Sequence, residues 1–400
     1  MTRFSRLSDS GKQALILTGV NSIFWFAWAF GYYQTVYLQQ IGFSASQLGL
    51  LNALTSGVSI LSLAFWGMVS DRIGSLRKVL ITVLIGGCAL FALIPLIPTG
   101  LPISPVLLLT LIPIVYFFRG SMSTYAENIL VRNSNELGLN YGLLRSVGSF
   151  LFTIGGLIIT VLLPFVGVPS TFWLTGLLTI PVVILTLLAR EPNARPKSKD
   201  KKEKLDLSGL FQNKAYVSLL FFGFLFYIAV NCENSFLPYF MSSVEVSSDQ
   251  YVLVLSYRAL LEIPFLLLMG KLRRRFPLGL LVMISAVLMA LECLLFGFFA
   301  NSLLTLLISS TFFGLGNGMY IGSSLNYVYE LAPAHLKASA QAFFSAVSSV
   351  AGILGNLGGG LVFDAIGAKP FYLLVAVIFL LSVALFLFTQ RKSLLAKQHI

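Results

Sequence analysis

Long apolar stretches recur along this chain, separated by short polar turns, at roughly residues 14–38, 46–70, 78–97, 104–130, 141–164, 169–189, 214–240, 250–270, 278–299, 302–326, 338–362 and 369–390. Each is about 20 residues or more, enough for an α-helix rising 1.5 Å per residue to cross about 30 Å of hydrocarbon. Inside a bilayer a segment must satisfy its own backbone hydrogen bonds, so runs of this length are helices. The pattern predicts an all-α membrane protein with twelve transmembrane helices and mostly short connections. The first run begins near Ala14, is too long for the core of a cleavable signal, and is followed by many more.

One connection breaks the rhythm. Residues 190–213, opening Arg190-Glu191-Pro192-Asn193-Ala194-Arg195-Pro196, are charged and contain Pro. They divide the chain into an N-terminal six-helix half (1–189), a linker (190–213), a C-terminal six-helix half (214–390) and a tail (391–400). A faint repeat supports the division: Gly167-Val168-Pro169-Ser170-Thr171-Phe172-Trp173-Leu174 recurs in outline as Gly367-Ala368-Lys369-Pro370-Phe371-Tyr372-Leu373. Each copy follows a Gly-rich span (Gly155 and Gly156; Gly355 and Gly358 to Gly360), where helices can approach closely. Two such repeats around a central site are a transporter plan.

Composition sharpens this. The chain is 57% hydrophobic and only 10% charged, where soluble domains carry about 25% charged residues. A net charge of +12 raises the question of nucleic acid, and its distribution answers it. Of 27 Lys and Arg, Arg119, Arg145 and Arg258 lie within spans and Lys369 falls at an external loop; the others gather on one side. That is the positive-inside pattern, which predicts a multi-pass protein of the cytoplasmic (inner) membrane with both termini in the cytoplasm. Cys88, Cys232 and Cys293 lie in apolar runs as small hydrophobes, and the two histidines, His335 and His399, lie in a loop and the tail. Neither a cofactor nor a metal site is expected.

Seven ionisable side chains interrupt the spans: Arg119, Glu127, Arg145, Glu233, Arg258, Glu262 and Glu292. A charge at mid-bilayer costs at least about 2.5–3.5 kcal/mol, so such groups pair with one another or line a wet cavity. Glu127 and Arg145 flank the charged connection between spans four and five, where a hairpin allows them to pair; Arg119, Ser123 and Glu127 follow one another at helical spacing as a polar stripe. Function and a purely structural ion pair weigh equally on these grounds. Arg258 and Glu262 are i, i+4 neighbours in span eight, placed to pair within one turn before Pro264. An Arg beside a carboxyl of low-dielectric surroundings suits a group that takes and releases protons. Glu262 is the leading proton-site candidate, Arg258 its modulator and Glu292 the second choice; a static helix-stabilising pair is the alternative. In span seven, Asn231-Cys232-Glu233-Asn234-Ser235 before Pro238 predicts a weakened helix that serves as a gate, a coupling site or a hinge. The aromatics of span one (Trp25, Trp28, Tyr32, Tyr33, Tyr37) suit the interface or packing, with Tyr33 and Tyr37 spaced to face a cavity together.

The loop after span two, Gly67-Met68-Val69-Ser70-Asp71-Arg72-Ile73-Gly74-Ser75-Leu76-Arg77-Lys78, resembles the G-x-x-x-D-R-x-G-R-R signature of the major facilitator superfamily, with two residues inserted before the final basic pair. The resemblance implies a conformational latch at Asp71 and Arg72. The equivalent place in the second half, Gly270-Lys271-Leu272-Arg273-Arg274-Arg275, lacks the Asp. A closer similarity runs from Glu127-Asn128-Ile129-Leu130 through Tyr141-Gly142-Leu143-Leu144-Arg145-Ser146-Val147-Gly148 and on to Tyr327-Val328-Tyr329-Glu330-Leu331-Ala332-Pro333. These segments resemble the lactose permease-like oligosaccharide and nucleoside proton-symporter branch. The resemblance implies that Glu127 and Arg145 hold sugar hydroxyls. Phe152 stands where that branch stacks a Trp on the sugar, and spans ten to twelve lack the branch's coupling His, so coupling rests on carboxylates. Glu233 is similar in place to an Asp of the branch's helix seven, and its coupling Glu on helix eight aligns with Arg258 or Glu262.

The expected function is proton-coupled uptake of a neutral hydroxyl-rich solute, an oligosaccharide or nucleoside, by alternating access. The expected substrate residues are Glu127, Arg145, Phe152, Arg119, Tyr33 and Asn231; the expected coupling residues are Glu262, Arg258, Glu292 and Glu233. Partners are a small-molecule substrate, protons and the lipid bilayer, without nucleic acid, and a monomer suffices. The alternative is an exporter of drugs or metabolites by proton antiport. A membrane-embedded enzyme is disfavoured by the lack of membrane His or a large soluble loop; a channel would show itself as single-channel current.

Overall fold

A computed structural model describes residues 9–192 and 208–396. Most of the expected linker (193–207) and the end of the tail (397–400) lie outside the described residues. The chain forms helices α1 (Asp9–Gly31), α2 (Tyr33–Gln40), α3 (Ala45–Ile73), α4 (Leu76–Phe91), α5 (Ser104–Leu137), α6 (Tyr141–Val166), α7 (Ser170–Leu188), α8 (Ser208–Phe211), α9 (Lys214–Ser243), α10 (Tyr251–Arg275), α11 (Leu278–Phe299), α12 (Leu303–Leu331), α13 (Lys337–Ile366) and α14 (Ala368–Ala396). No strand occurs among the described residues. Among the described residues eleven stretches, α1 with α2 counted as one, are long and apolar enough to cross a membrane. The twelfth is Ser248–Arg275, bent by 51° between Phe265 and Leu267. The bend follows Pro264, whose ring opposes the preceding turn and which offers no N–H.

Helix ends overrun the apolar runs because hydrogen bonding, unlike hydropathy, does not stop at a charge. The connection expected at 132–140 is mostly helix: α5 continues to Leu137 and stops where Gly138 takes a left-handed conformation (φ 65°). Asn140 then caps α6 by accepting from the Leu143 N–H. Span seven also differs from expectation, since α9 runs unbroken through Asn231, Glu233 and Pro238. Its amides turn back onto their own helix, Asn231 to the Tyr227 carbonyl at 2.8 Å and Asn234 to the Val230 carbonyl at 3.0 Å.

The chain divides into two compact units: residues 1–43 with 54–198, and residues 44–53 with 199–400. Helix α3 is thereby shared between them. In unit 1, α1 packs on α6 and α7, and α4 on α5 and α7. In unit 2, α9 packs on α13 and α14, and α11 on α12 and α14, with α10 on α12 besides. The four pairings of unit 1 thus recur in unit 2 between the helices that occupy the same places in the second run of six. Glycine makes one of them possible in both copies. A Cβ on Gly155 would lie 2.8 Å from the Phe26 carbonyl oxygen of α1, and a Cβ on Gly355 would lie 2.9 Å from the Ile228 carbonyl oxygen of α9.

Candidate functional site

In unit 1 the α5–α6 hairpin brings two span charges together. Arg145 Nε lies 3.4 Å from Glu127 Oε2, and both side chains keep 31% of their surface exposed. The arrangement is larger than the pair. The Tyr141 hydroxyl, one turn before Arg145, donates to Glu127 Oε1. Arg145 Nη1 donates to Ser149 Oγ at 2.9 Å, and its guanidinium lies over the Trp25 ring at 4.6 Å. Donors, an acceptor and an aromatic face therefore converge at a partly open position. Phe152 meets Tyr32 edge-on, ring centroids 5.7 Å apart.

Two expected members stand elsewhere. Tyr33 is fully buried, its hydroxyl 3.4 Å from Thr160 Oγ1 of α6, and Tyr37 is buried too. The break between α1 and α2 at Tyr32 turns these positions into the core, so the exposed phenol is Tyr32. Arg119 is only 4% exposed, and its guanidinium is sandwiched between Phe91 (3.9 Å) and Trp28 (4.7 Å). The stripe from Glu127 back along α5 thus runs into protein rather than into an open cavity.

In unit 2, Arg258 pairs with two other helices instead of with Glu262. Its Nη2 donates to Glu233 Oε1 at 2.6 Å and to Glu292 Oε1 at 2.7 Å, its Nη1 to Glu233 Oε2 at 3.3 Å, and its Nε to Ser310 Oγ at 3.2 Å. The Phe313 ring covers the guanidinium at 4.3 Å. The carboxylates are 0% exposed and the Arg side chain 2%. The expected i, i+4 pair fails because the Arg258 side chain is held among α9, α11 and α12, whereas Glu262, less deeply buried, accepts from Asn317 Nδ2 at 2.7 Å. Of the two arrangements expected for charges in the spans, pairing or lining a wet cavity, Glu233, Arg258 and Glu292 take the first: they pair with one another inside the unit. With both carboxylates ionised, one guanidinium would leave a negative charge unbalanced; Glu292 Oε2 has no hydrogen bond of ordinary geometry among the described residues, the Ser310 hydroxyl being its neighbour. Asn231 of α9 is partly exposed beside Gly352.

Asp71 and Arg72 are exposed and form no hydrogen bond or ion pair with any described residue. The start of α4, just after Asp71 and Arg72, is held by Glu191, which accepts from Ser75 Oγ (2.6 Å) and from the Leu76 and Arg77 N–H groups (2.9 and 3.3 Å). In unit 2, Asp364 does the same for α3, accepting from the Ala45 and Ser46 N–H groups at 3.2 and 2.8 Å. Sequence reasoning missed both, since nothing local tells which helix end a distant carboxylate will cap. Tyr141 and Ser149 were legible: they sit four residues either side of Arg145, on its face of α6.

Comparison with known proteins agrees with this architecture. A model of the MFS_1 like family matches residues 23–374. The uncharacterized transporter YwbF of Bacillus subtilis (strain 168) is 22% identical over 353 residues, spanning 87% of this chain and 86% of that protein. The maltose permease of Geobacillus stearothermophilus is 24% identical over 335 residues, 79% and 78% of the two chains. Among solved structures, that of nucleoside transporter NupG superposes with a TM-score of 0.78 at 19% identity, covering 96% of this chain and 99% of that one. A mutant of the same transporter gives 0.81 at 18% identity, covering 94% and 98%. The chain belongs to the MFS_1 like family and is a multi-pass membrane transporter of the major facilitator type.

Proposed function

We propose that the protein takes up a neutral hydroxyl-rich solute, an oligosaccharide or a nucleoside, together with a proton. The observation that carries this reading is the half-open cluster of Glu127, Arg145, Tyr141, Ser149 and Trp25. A sugar hydroxyl both donates and accepts, and a site that excludes water must satisfy both roles. Glu127 accepts, Arg145 donates, and the Trp25 face suits the apolar side of a sugar ring. Phe152, with Tyr32 edge-on to it, would add to that face. The names of two similar proteins, a maltose permease and a nucleoside transporter, are in keeping with such cargo.

The proton is assigned to the Glu233–Arg258–Glu292 cluster rather than to Glu262, which is kept as the second choice. One proton on Glu292 would balance the cluster's charge and turn Oε2 into a hydroxyl donor, with the Ser310 hydroxyl oxygen as the neighbouring acceptor. A neutralised cluster would then allow the alternating-access change of the two halves, 1–189 and 214–390, with solute and proton bound. The excess of Lys and Arg on one side supports an inner-membrane location with both termini cytoplasmic.

Uptake into proteoliposomes against a panel of disaccharides and nucleosides tests the assignment. Glu127→Gln and Arg145→Lys are expected to abolish saturable uptake without loss of membrane insertion. Unchanged uptake by both variants removes the site; proton-driven extrusion by the wild type would reassign the protein as an exporter.

A further inference from the structure

Unit 2 has a second charged place, far in sequence from the cluster of Glu233. Helix α10 ends in Arg273-Arg274-Arg275, and the last turn of α12 and the first of α13 face it across a cavity of about 890 Å³. Four cations line the cavity, these three and Lys337, together with Tyr329 and a single carboxylate, Glu330. The four cations are exposed, and none makes a hydrogen bond or ion pair with another described residue. Asn213, just before α9, donates to the Leu331 carbonyl at 2.8 Å, which puts this end of the unit where the linker side of the chain enters.

The positive-inside pattern accounts for cations at this end, but not for the convergence of four on one concavity, none of them paired with a described residue. Repulsion among them is a cost that a bound anion removes. Guanidinium groups present forked donors matched to the oxygens of a phosphate, and an ammonium adds a point charge. The neighbouring surface is apolar: Phe276 is 42% exposed at the cavity's edge, and Leu267 and Leu268 on α10 are 77% and 45% exposed. Charge at the end of the spans beside bare hydrocarbon is the surface that a phospholipid presents in reverse.

We propose that this cavity binds a phosphate group, either the headgroup of an anionic phospholipid or a free phosphate. The site needs neither the substrate nor the proton assignment, and its test involves no transport. Thermal unfolding of the purified full chain in detergent is followed with added phosphatidylglycerol, phosphatidylcholine or inorganic phosphate at equal phosphate. Phosphatidylglycerol is expected to raise Tm well beyond phosphatidylcholine, with the gain lost on raising salt from roughly 0.05 to 0.5 M. Arg273→Gln/Arg274→Gln/Lys337→Gln should weaken the apparent affinity on the order of a hundred-fold, whereas Lys12→Gln/Lys78→Gln in unit 1 should not. A gain from inorganic phosphate equal to that from phosphatidylglycerol supports the site and identifies a free anion as its occupant. Equal effects of phosphatidylglycerol, phosphatidylcholine and chloride on the wild type overturn the proposal. Wild-type response in the triple variant does so too. Should that variant not fold, selective retention of phosphatidylglycerol over phosphatidylcholine by the wild type in native mass spectrometry decides the matter, and equal retention sinks it.

Discussion

Arg145 and Arg258 show how one residue type serves two ends. Arg145 is partly exposed, shares Glu127 with Tyr141, and lies on Trp25; Arg258 is sealed between two carboxylates. Losing the partner of a buried charge costs about 3–5 kcal/mol, because the remaining charge has no water to turn to. Arg258→Leu is therefore expected to collapse the yield of folded protein, and Arg258→Leu/Glu233→Gln/Glu292→Gln to recover much of it, measured by monodisperse elution in detergent. No recovery would mean that the guanidinium does more than balance charge. Glu292→Gln keeps shape and removes the titration. It is expected to abolish accumulation against a gradient while leaving solute exchange intact, and active accumulation by this variant would move the proton elsewhere. Arg119, flat between Phe91 and Trp28, is expected to act on stability alone: Arg119→Lys lowers Tm and leaves KM unchanged.

At the scale of elements, the hydrophobic pattern located nearly every helix, because hydrocarbon forces the backbone to satisfy itself. It could not locate their ends. Helix α5 carries its polar residues on to Leu137, beyond the bilayer run. The Glu127–Arg145 contact was foreseen from a shorter α5 than the real one, and it forms all the same, at 3.4 Å. The Arg258–Glu262 expectation went astray for a related reason: spacing along one helix says what can meet, not what a neighbouring helix offers instead. Glycines at the α1–α6 and α9–α13 contacts were visible as Gly-rich runs, whereas the carbonyls they abut were not. Gly355→Ala places a Cβ 2.9 Å from the Ile228 carbonyl oxygen. Such crowding costs about 1–3 kcal/mol, so Tm should fall by several degrees. An unchanged Tm would show that α9 and α13 separate freely.

Over the whole molecule, the four helix pairings of unit 1 repeat in unit 2, though the sequence retains only a short echo near Gly167 and Gly367. Backbone geometry has outlasted side-chain identity, as expected when close approach needs only a small residue. The charges do not follow the repeat. Unit 1 keeps a half-open pair, and unit 2 keeps a sealed cluster with one oxygen unpartnered among the described residues. That asymmetry is the physical basis for assigning solute to one unit and proton to the other. Proton movement in lightly buffered proteoliposomes, driven only by an added gradient of disaccharide or nucleoside, tests the coupling most directly. Inward solute flow should make the external medium alkaline with the wild type and leave it unchanged with Glu127→Gln. Solute entry with acidification, or with no proton movement, would contradict the account.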